Sequence, residues 1–137
     1  MRDKLEQILV SEEILPLSSS KWSVFQVDFK KGCKEITHKM INNSVPSSII
    51  GVYVIQTSDG EVLYVGQGKV KERIKRHYKK LFASKPSYRQ QFFQEREGTM
   101  NIYWAAFEKD RLVVETLLHL TLNPVFEVYK SKKNGNY

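Results

Sequence analysis

The first half of the chain carries three segments whose apolar residues follow recognisable spacings. In residues 2–14 apolar side chains recur at roughly helical intervals between charged ones, which predicts a short surface helix. Residues 22–29 alternate apolar and polar positions, which is typical of an edge strand. Residues 30–43 are basic and polar and favour a second short helix. The polar run at 42–48, which contains Pro46, is the clearest break in the chain and predicts a boundary.

A β-hairpin is predicted after this break. Residues 49–55 form a short apolar run, and residues 61–66 form a second one. Between them lies Thr-Ser-Asp-Gly at 57–60, whose Asp-Gly pair favours a tight turn. Residues 69–82 carry apolar side chains at positions i, i+4, i+8 and i+11. An amphipathic helix is therefore expected directly after the hairpin.

The C-terminal half predicts a further strand and a further helix. Residues 101–107 are a strand candidate, and residues 111–122 form a helix that ends before the Asn-Pro pair at 123–124. Because apolar residues occupy nearly every side of this helix, we expect it to be largely buried. The predicted organisation has three parts: an N-terminal extension (1–46), a main module (47–130) and a flexible basic tail (131–137).

The charge balance limits the classes of partner. The 137 residues contain 22 Lys and Arg against 15 Asp and Glu, a formal net charge of +7. This favours an anionic partner, nucleic acid first and an acidic membrane second. Cys33 is the only cysteine, so neither an intrachain disulfide nor a cysteine-based metal site is expected. Since the chain lacks a signal-peptide pattern and an apolar run of about 18 residues, we expect a cytoplasmic protein that does not span a membrane.

Glu115 is the residue that most needs a partner. It lies in the apolar helix at 111–122, where a buried carboxylate costs free energy unless it is paired, hydrogen-bonded or bound to a cation. One explanation is an ion pair with a basic residue such as Arg73 or Arg111. The other is a bound Mg²⁺ ion, which often takes one protein carboxylate and completes its shell with water and phosphate oxygens. The sequence leaves both explanations open.

The helix at 69–82 is the most basic part of the chain. Residues 69–80 hold seven Lys or Arg and one Glu, so their net charge is seven minus one, or +6. Arg73 and His77 are four residues apart and lie on one side of the helix. Arg73 is either a solvated arginine or a bidentate phosphate ligand. His77 is a general acid or base, a phosphate contact or an ordinary surface histidine. The candidates for nucleic-acid contacts are Lys69, Lys71, Arg76, Lys79 and Lys80.

Tyr53 and Tyr64 lie on the two strands of the predicted hairpin. By default, such tyrosines pack a small sheet. A tyrosine acts as a general base only where nearby cations lower its pKa from about 10. Arg73 and a metal ion are the cations that the sequence offers. Gly51 and Gly66 are either strand-end positions or sites of close backbone approach.

These residues, in this order, resemble the GIY-YIG nuclease family. Gly-Val-Tyr at 51–53 resembles its first motif and Tyr-Val-Gly at 64–66 its second, at a spacing typical of the family. Arg73 stands where the family has its helix arginine, and Glu115 where it has its metal-binding glutamate. The match covers about residues 49–127. Its first part is most similar to the N-terminal nuclease module of the excinuclease subunit UvrC.

The resemblance implies an α+β fold with a small three-stranded antiparallel sheet flanked by helices. It also implies a metal-dependent endonuclease that hydrolyses phosphodiester bonds in DNA, with one Mg²⁺ or Mn²⁺ ion assisting in-line attack by water. Glu115 would hold the metal, and Arg73 would grip the scissile phosphate. Tyr53 would act as general base, and Tyr64 would position water or phosphate. His77 occupies a helix site where some members place a catalytic His or Tyr.

One position departs from the family pattern. Many members carry an asparagine twelve residues after the glutamate, whereas this chain has Glu127 there and Asn123 four residues earlier. Two other functions therefore stay open. One is a catalytically weak or inactive nucleic-acid-binding module of the same fold, and the other is an interaction protein with no nucleic-acid role.

The N-terminal extension supplies several residues with three open roles. These roles are contact with DNA, formation of a dimer surface and capping of the sheet. A homodimer is one expectation, because a double-strand cut needs two active sites. These residues are Trp22, Lys30, Lys31, Lys34 and His38.

Overall fold

The structure, a computed structural model, describes residues 22–127. Its strands are β1 (Ser23–Phe29), β2 (Ile50–Thr57), β3 (Val62–Lys69) and β4 (Gly98–Ala106). Its helices are α1 (Lys34–Ser44), α2 (Val70–Lys79), α3 (Tyr88–Gln94) and α4 (Arg111–Leu122), with short 3-10 turns at Lys31–Cys33 and Lys80–Phe82. This α+β architecture confirms the predicted fold class. The helix expected at 2–14 and the tail expected at 131–137 lie outside the described residues.

The antiparallel sheet has four strands rather than the three expected, in the order β1-β4-β2-β3. The additional strand is β1, which pairs with β4 from Ser23 opposite Trp104 to Phe29 opposite Gly98. The edge strand predicted for residues 22–29 is therefore confirmed. It extends the sheet of the main module, so this part of the N-terminal extension packs with that module.

β2 and β3 form the predicted hairpin. In its turn the Thr57 N–H donates to the Glu61 carbonyl oxygen over 2.8 Å, and Gly60 adopts a φ of 98° that favours glycine. The register sets Tyr53 opposite Gly66. Consequently the two tyrosine-bearing motifs lie side by side on neighbouring strands.

Alternate residues of β2 enter two separate cores, as the strand period of two requires. Tyr53 and Ile55 enter the aromatic core, on the side of the sheet covered by α1, α2 and α3. Val52 and Val54 enter the aliphatic core, on the side covered by α4. Other members of the aromatic core are Phe29, Ile41, Ile74, Tyr78, Phe92, Phe93 and Phe126. Other members of the aliphatic core are Val65, Ala105, Phe107, Val114, Leu118 and Leu122.

The expectation that α4 is largely buried is wrong. Val114, Leu118 and Leu122 are buried, because they follow one side of the helix at spacings of four. The opposite side faces solvent, where Leu112 is 59% exposed and Leu120 is 77% exposed. Only one face of α4 therefore contributes to the aliphatic core.

Among residues 22–127, none of the helices has the length and apolar character needed to cross a membrane.

The sequence did not predict α3, which occupies a Gln- and Arg-rich stretch. Ser87 and Gln90 form a capping box: the Ser87 N–H donates to Gln90 Oε1, and the Gln90 N–H donates to Ser87 Oγ. Phe92 and Phe93 are buried and anchor the helix in the aromatic core. As adjacent residues they produce no helical period, which explains why the apolar pattern missed this element.

Candidate active site

Tyr53, His77 and Lys80 form a line of hydrogen bonds within the aromatic core. The Tyr53 hydroxyl lies 2.7 Å from His77 Nε2, and His77 Nδ1 lies 2.7 Å from Lys80 Nζ. Tyr53 and His77 are each 2% exposed, and Lys80 is 9% exposed. β2 directs Tyr53 toward α2, and a three-residue spacing places His77 and Lys80 on the same side of the helix end. The three polar groups therefore satisfy one another away from solvent.

Tyr64 joins this line to the surface. Its ring stacks on Tyr53, with centroids 6.2 Å apart and planes 17° apart, and meets the His77 ring at 4.3 Å. The guanidinium of Arg89, from the start of α3, lies 5.7 Å from the Tyr64 ring centroid and 5.5 Å from that of Phe126. Arg89 is exposed and Tyr64 is half-buried. Tyr64 therefore contacts both the buried pair and an exposed cation.

Two glycines are required by close approach, which resolves the alternatives that the sequence left open. A Cβ at Gly66 would lie 2.5 Å from Tyr53 Cζ and would collide with its hydroxyl oxygen. A Cβ at Gly51 would lie 2.9 Å from the Ala105 carbonyl carbon on β4. Gly66 therefore makes the space in which the Tyr53 hydroxyl meets His77.

Arg73 extends from α2 beside the end of the hairpin. Gly68 has a φ of 127°, which favours glycine, and a Cβ there would lie 3.2 Å from Arg73 Nε. Arg73 is exposed and makes no hydrogen bond or ion pair with another residue of the 22–127 range. Its charge nevertheless reaches Tyr53 and Tyr64, where it opposes the effect of burial on their pKa values. The guanidinium is therefore available to an anionic ligand next to both tyrosines.

Glu115 is half-buried on α4 and has no hydrogen-bond or ion-pair partner within the described part of the chain. Arg111, one expected partner, donates instead to Gln67 Oε1 at 2.9 Å and to the Glu108 carbonyl oxygen at 2.7 Å. Arg73, the other, forms no ion pair within the same range. The two ion pairs suggested by the sequence are thus absent from residues 22–127.

The surroundings of Glu115 fit a single bound cation. Burial raises the pKa of the Glu115 carboxyl, His119 lowers it and Glu127 raises it, so a second acid lies nearby. The Glu115 charge also raises the pKa values of Tyr53 and Tyr64, after the larger effect of burial. Within 22–127 no three or more His, Cys, Asp or Glu side chains cluster as a metal site. Glu115 therefore belongs to no larger group of metal-ligating side chains among these residues.

The resting state does not favour a free Tyr53 phenolate. Burial raises the pKa of Tyr53 and Tyr64 raises it further, and these effects exceed the lowering by Arg73 and Arg89. Burial and the Lys80 charge lower the pKa of His77 well below its usual value, so His77 is a neutral imidazole. For Tyr53 to act as a base, its hydroxyl must therefore pass its own proton to a neighbouring group, because a buried phenolate is disfavoured.

The five cations proposed to contact nucleic acid fall into two groups. Lys69, Arg76 and Lys79 are exposed on or next to α2, and Lys71, which is half-buried, donates to the Asn42 carbonyl oxygen at 3.1 Å. Lys80 differs, because its ammonium is buried against His77 rather than directed to the surface. Lys80 therefore belongs to the line of hydrogen bonds with Tyr53 and His77 and not to the expected basic surface.

Two of the N-terminal candidates, Trp22 and His38, contribute to packing rather than to the group of Tyr53, Tyr64 and His77. Trp22 packs against Phe107 at 6.0 Å between ring centroids and borders the aliphatic core, so it caps the sheet. His38 meets the Tyr78 ring edge-on at 5.5 Å. Near the far end of the module, Asn123 adopts a φ of 50° and its N–H donates to the His119 carbonyl oxygen, which caps α4.

Sequence reasoning missed two members of the site. Arg89 lies in the unpredicted α3, and the basic run on α2 hid the inward direction of Lys80. The spacing of three residues between His77 and Lys80 was the available signal, because residues at i and i+3 share a helix side.

No protein-family model matches the chain, and no curated protein matches it significantly in sequence. The resemblance to GIY-YIG nucleases therefore stays a prediction that rests on the sequence motifs.

Proposed function

We propose that this protein is a metal-dependent endonuclease that hydrolyses phosphodiester bonds in DNA. The observation that carries the proposal is the convergence of Tyr53, Tyr64 and His77 in mutual contact, with the Arg73 and Glu115 charges acting on both tyrosines. These side chains come from β2, β3, α2 and α4. Within residues 22–127 neither Arg73 nor Glu115 has a hydrogen-bond or ion-pair partner, so both charges are open to a ligand there.

Each residue has a role that its environment supports. The exposed Arg73 guanidinium binds the scissile phosphate and offsets the negative charge that develops during attack. Tyr53 and Tyr64 orient the attacking water, and His77 fixes the Tyr53 hydroxyl. Glu115 holds the metal ion. When bound, Mg²⁺ or Mn²⁺ polarises the phosphate and stabilises the leaving oxygen.

The basic surface of α2 supports DNA as the ligand. A shallow pocket on this helix is lined by Glu72, Lys75, Arg76 and Lys79. Lysines and arginines on one helix face neutralise successive phosphates, and release of counterions makes such binding sensitive to salt. Lys69, Lys71, Arg76 and Lys79 are the backbone contacts that we assign to this surface.

The direct test is nicking of supercoiled plasmid by wild type, Glu115→Gln and Glu35→Gln. Glu35→Gln is the matched control, because it makes the same charge change at an exposed position of α1. We expect cleavage with Mg²⁺ or Mn²⁺ by wild type and control, none with EDTA, and a loss of at least about 100-fold in Glu115→Gln. Equal cleavage by Glu115→Gln and wild type would sink the assignment of the metal site.

A second candidate function is a nucleic-acid-binding module without catalysis. It is favoured by one observation: Tyr53 is 2% exposed and burial raises its pKa, which removes an easily formed base. This candidate predicts salt-sensitive DNA binding with no cleavage under any metal condition. Replacement of Lys75 and Lys79 by Ala would then weaken binding and reduce its dependence on salt, whereas Glu115→Gln would leave binding unchanged.

A further inference from the structure

The hydrogen bonds that link Tyr53, His77 and Lys80 run in one of two directions. The protonation state of Lys80 sets which groups donate and which accept. A lysine ammonium has three N–H donors and no acceptor. When Lys80 is protonated it must donate to His77 Nδ1, so the proton of the neutral imidazole resides on Nε2 and is donated to the Tyr53 oxygen. In that state His77 cannot accept a proton from Tyr53. The 2.7 Å separations at both contacts are those of hydrogen bonds and fit this arrangement.

A neutral Lys80 amine reverses the line. Its nitrogen lone pair accepts the Nδ1 proton of His77, and the free Nε2 then accepts the hydroxyl proton of Tyr53. Both arrangements use the same heavy-atom positions. A change of one proton on Lys80 therefore decides whether Tyr53 is blocked or can release its proton inward.

We propose that the neutral amine of Lys80 is the terminal proton acceptor of a relay that runs from the attacking water through Tyr53 and His77. The proposal rests on the nuclease function proposed above. In the step, the water oxygen bonds to phosphorus and its proton passes to the Tyr53 oxygen. The bond from phosphorus to the leaving oxygen breaks, and the leaving oxygen keeps the electron pair and takes a proton from solvent. Tyr53 passes its proton to His77 Nε2, and the Nδ1 proton moves to Lys80, which becomes an ammonium. Lys80 acts through the other two residues and is a positioning residue, not one that touches the substrate.

The charges around Lys80 support this role. Burial lowers the pKa of Lys80 to about 7, and Arg89, Arg76 and Arg73 lower it as well. The groups that face its ammonium are His77 and the rings of Tyr64 at 6.0 Å and Phe93 at 5.5 Å, with no described acid in contact. The relay also avoids a buried Tyr53 phenolate, which the burial of that side chain disfavours.

The first test reads the His77 tautomer by long-range proton–nitrogen NMR, with His77→Gln used to assign its signals apart from those of His38 and His119. We expect the proton on Nε2 at about pH 5.5 and on Nδ1 at about pH 8.5, with a midpoint near the unusual lysine pKa. Lys80→Met should show no such change. A single His77 tautomer across this range in the wild type would overturn the proposal, whether or not the protein cleaves DNA.

The second test compares cleavage by wild type, Lys80→Arg and Lys80→Met, with Lys39→Arg as the matched control at an exposed position of α1. An arginine stays protonated and can only donate, so Lys80→Arg should lose about 100-fold or more in kcat with unchanged DNA affinity. The wild-type rate should rise with pH to a plateau above about pH 7, and this rise should vanish in Lys80→Met. A Lys80→Arg enzyme with the wild-type rate and pH profile would overturn the relay alone, whereas a wild type that cleaves nothing would overturn the nuclease function.

Discussion

The two faces of the sheet differ in what they bury. The aliphatic core packs Val52, Val54 and Leu118 with no buried ionisable side chain among its described members. The aromatic core, on the opposite face of the same strands, buries Tyr53, His77 and Lys80. Burying polar groups costs free energy even when they bond to one another, whereas aliphatic residues of the same size would stabilise the fold. The buried ionisable side chains Tyr53, His77 and Lys80 therefore all lie on the aromatic face, whereas Glu115 of the proposed site comes from α4 on the aliphatic side.

The difference between the two faces of the sheet is tested most directly by removing one group from each. Tyr53→Phe keeps the ring but deletes the hydroxyl, so cleavage should fall by about 10²–10⁴-fold. Because His77 Nε2 loses its partner, unfolding should also become easier by about 1–3 kcal/mol. Plasmid nicking and urea unfolding measure the two effects.

The matched change on the aliphatic face is Leu118→Ala. Leu118 is fully buried, so its truncation should cost about 2–5 kcal/mol of unfolding free energy. Cleavage per folded molecule should stay at the wild-type level, because the members of the aliphatic core around Leu118 include none of the proposed site residues. An equal loss of specific activity in Tyr53→Phe and Leu118→Ala would remove the functional distinction between the faces.

A smaller change sharpens the comparison within the sheet itself. In Gly66→Ala the added methyl group would collide with the Tyr53 hydroxyl, so Tyr53 must move away from His77. We expect a loss of at least about tenfold in cleavage, with about 1–3 kcal/mol of destabilisation from overpacking. Gly98→Ala is the control, because a Cβ there meets nothing within 4 Å. Full activity in Gly66→Ala would mean that the contact between Tyr53 and His77 is dispensable.

Much of the aromatic face follows from local patterns. The hairpin was predictable because the Asp-Gly turn and two apolar runs act over a few residues, and α2 because its apolar stripe repeats every turn. The structure brings Tyr53 next to Tyr64 and His77 as these elements require. Local patterns thus predicted where these side chains lie, whereas their assignment to a site came from the resemblance to the GIY-YIG motifs.

The remainder depends on tertiary packing that no local pattern encodes. Lys80 belongs to a run of cations, and only the packing of α2 against the sheet directs it inward. Arg89 sits on a seven-residue helix whose anchors are two adjacent phenylalanines, which give no period. The apolar composition of α4 predicted burial, yet Leu112 and Leu120 face solvent because one side of the helix has no covering element among residues 22–127.

Arg89 gives the smallest expected effect and tests how far the chemistry extends from the buried line. Its guanidinium lies over Tyr64 and Phe126, and it makes no hydrogen bond or ion pair with the rest of the described chain. If the DNA surface extends to Arg89, Arg89→Gln should weaken DNA binding about two- to fivefold and reduce its salt slope by about one, since one phosphate contact is lost. Arg96→Gln is the matched control, because Arg96 also lies over an aromatic ring, that of Phe92 at 4.1 Å, but does not act on the tyrosines. If both variants kept the wild-type affinity and salt slope, the DNA surface would end at α2, and α3 would serve the aromatic core alone.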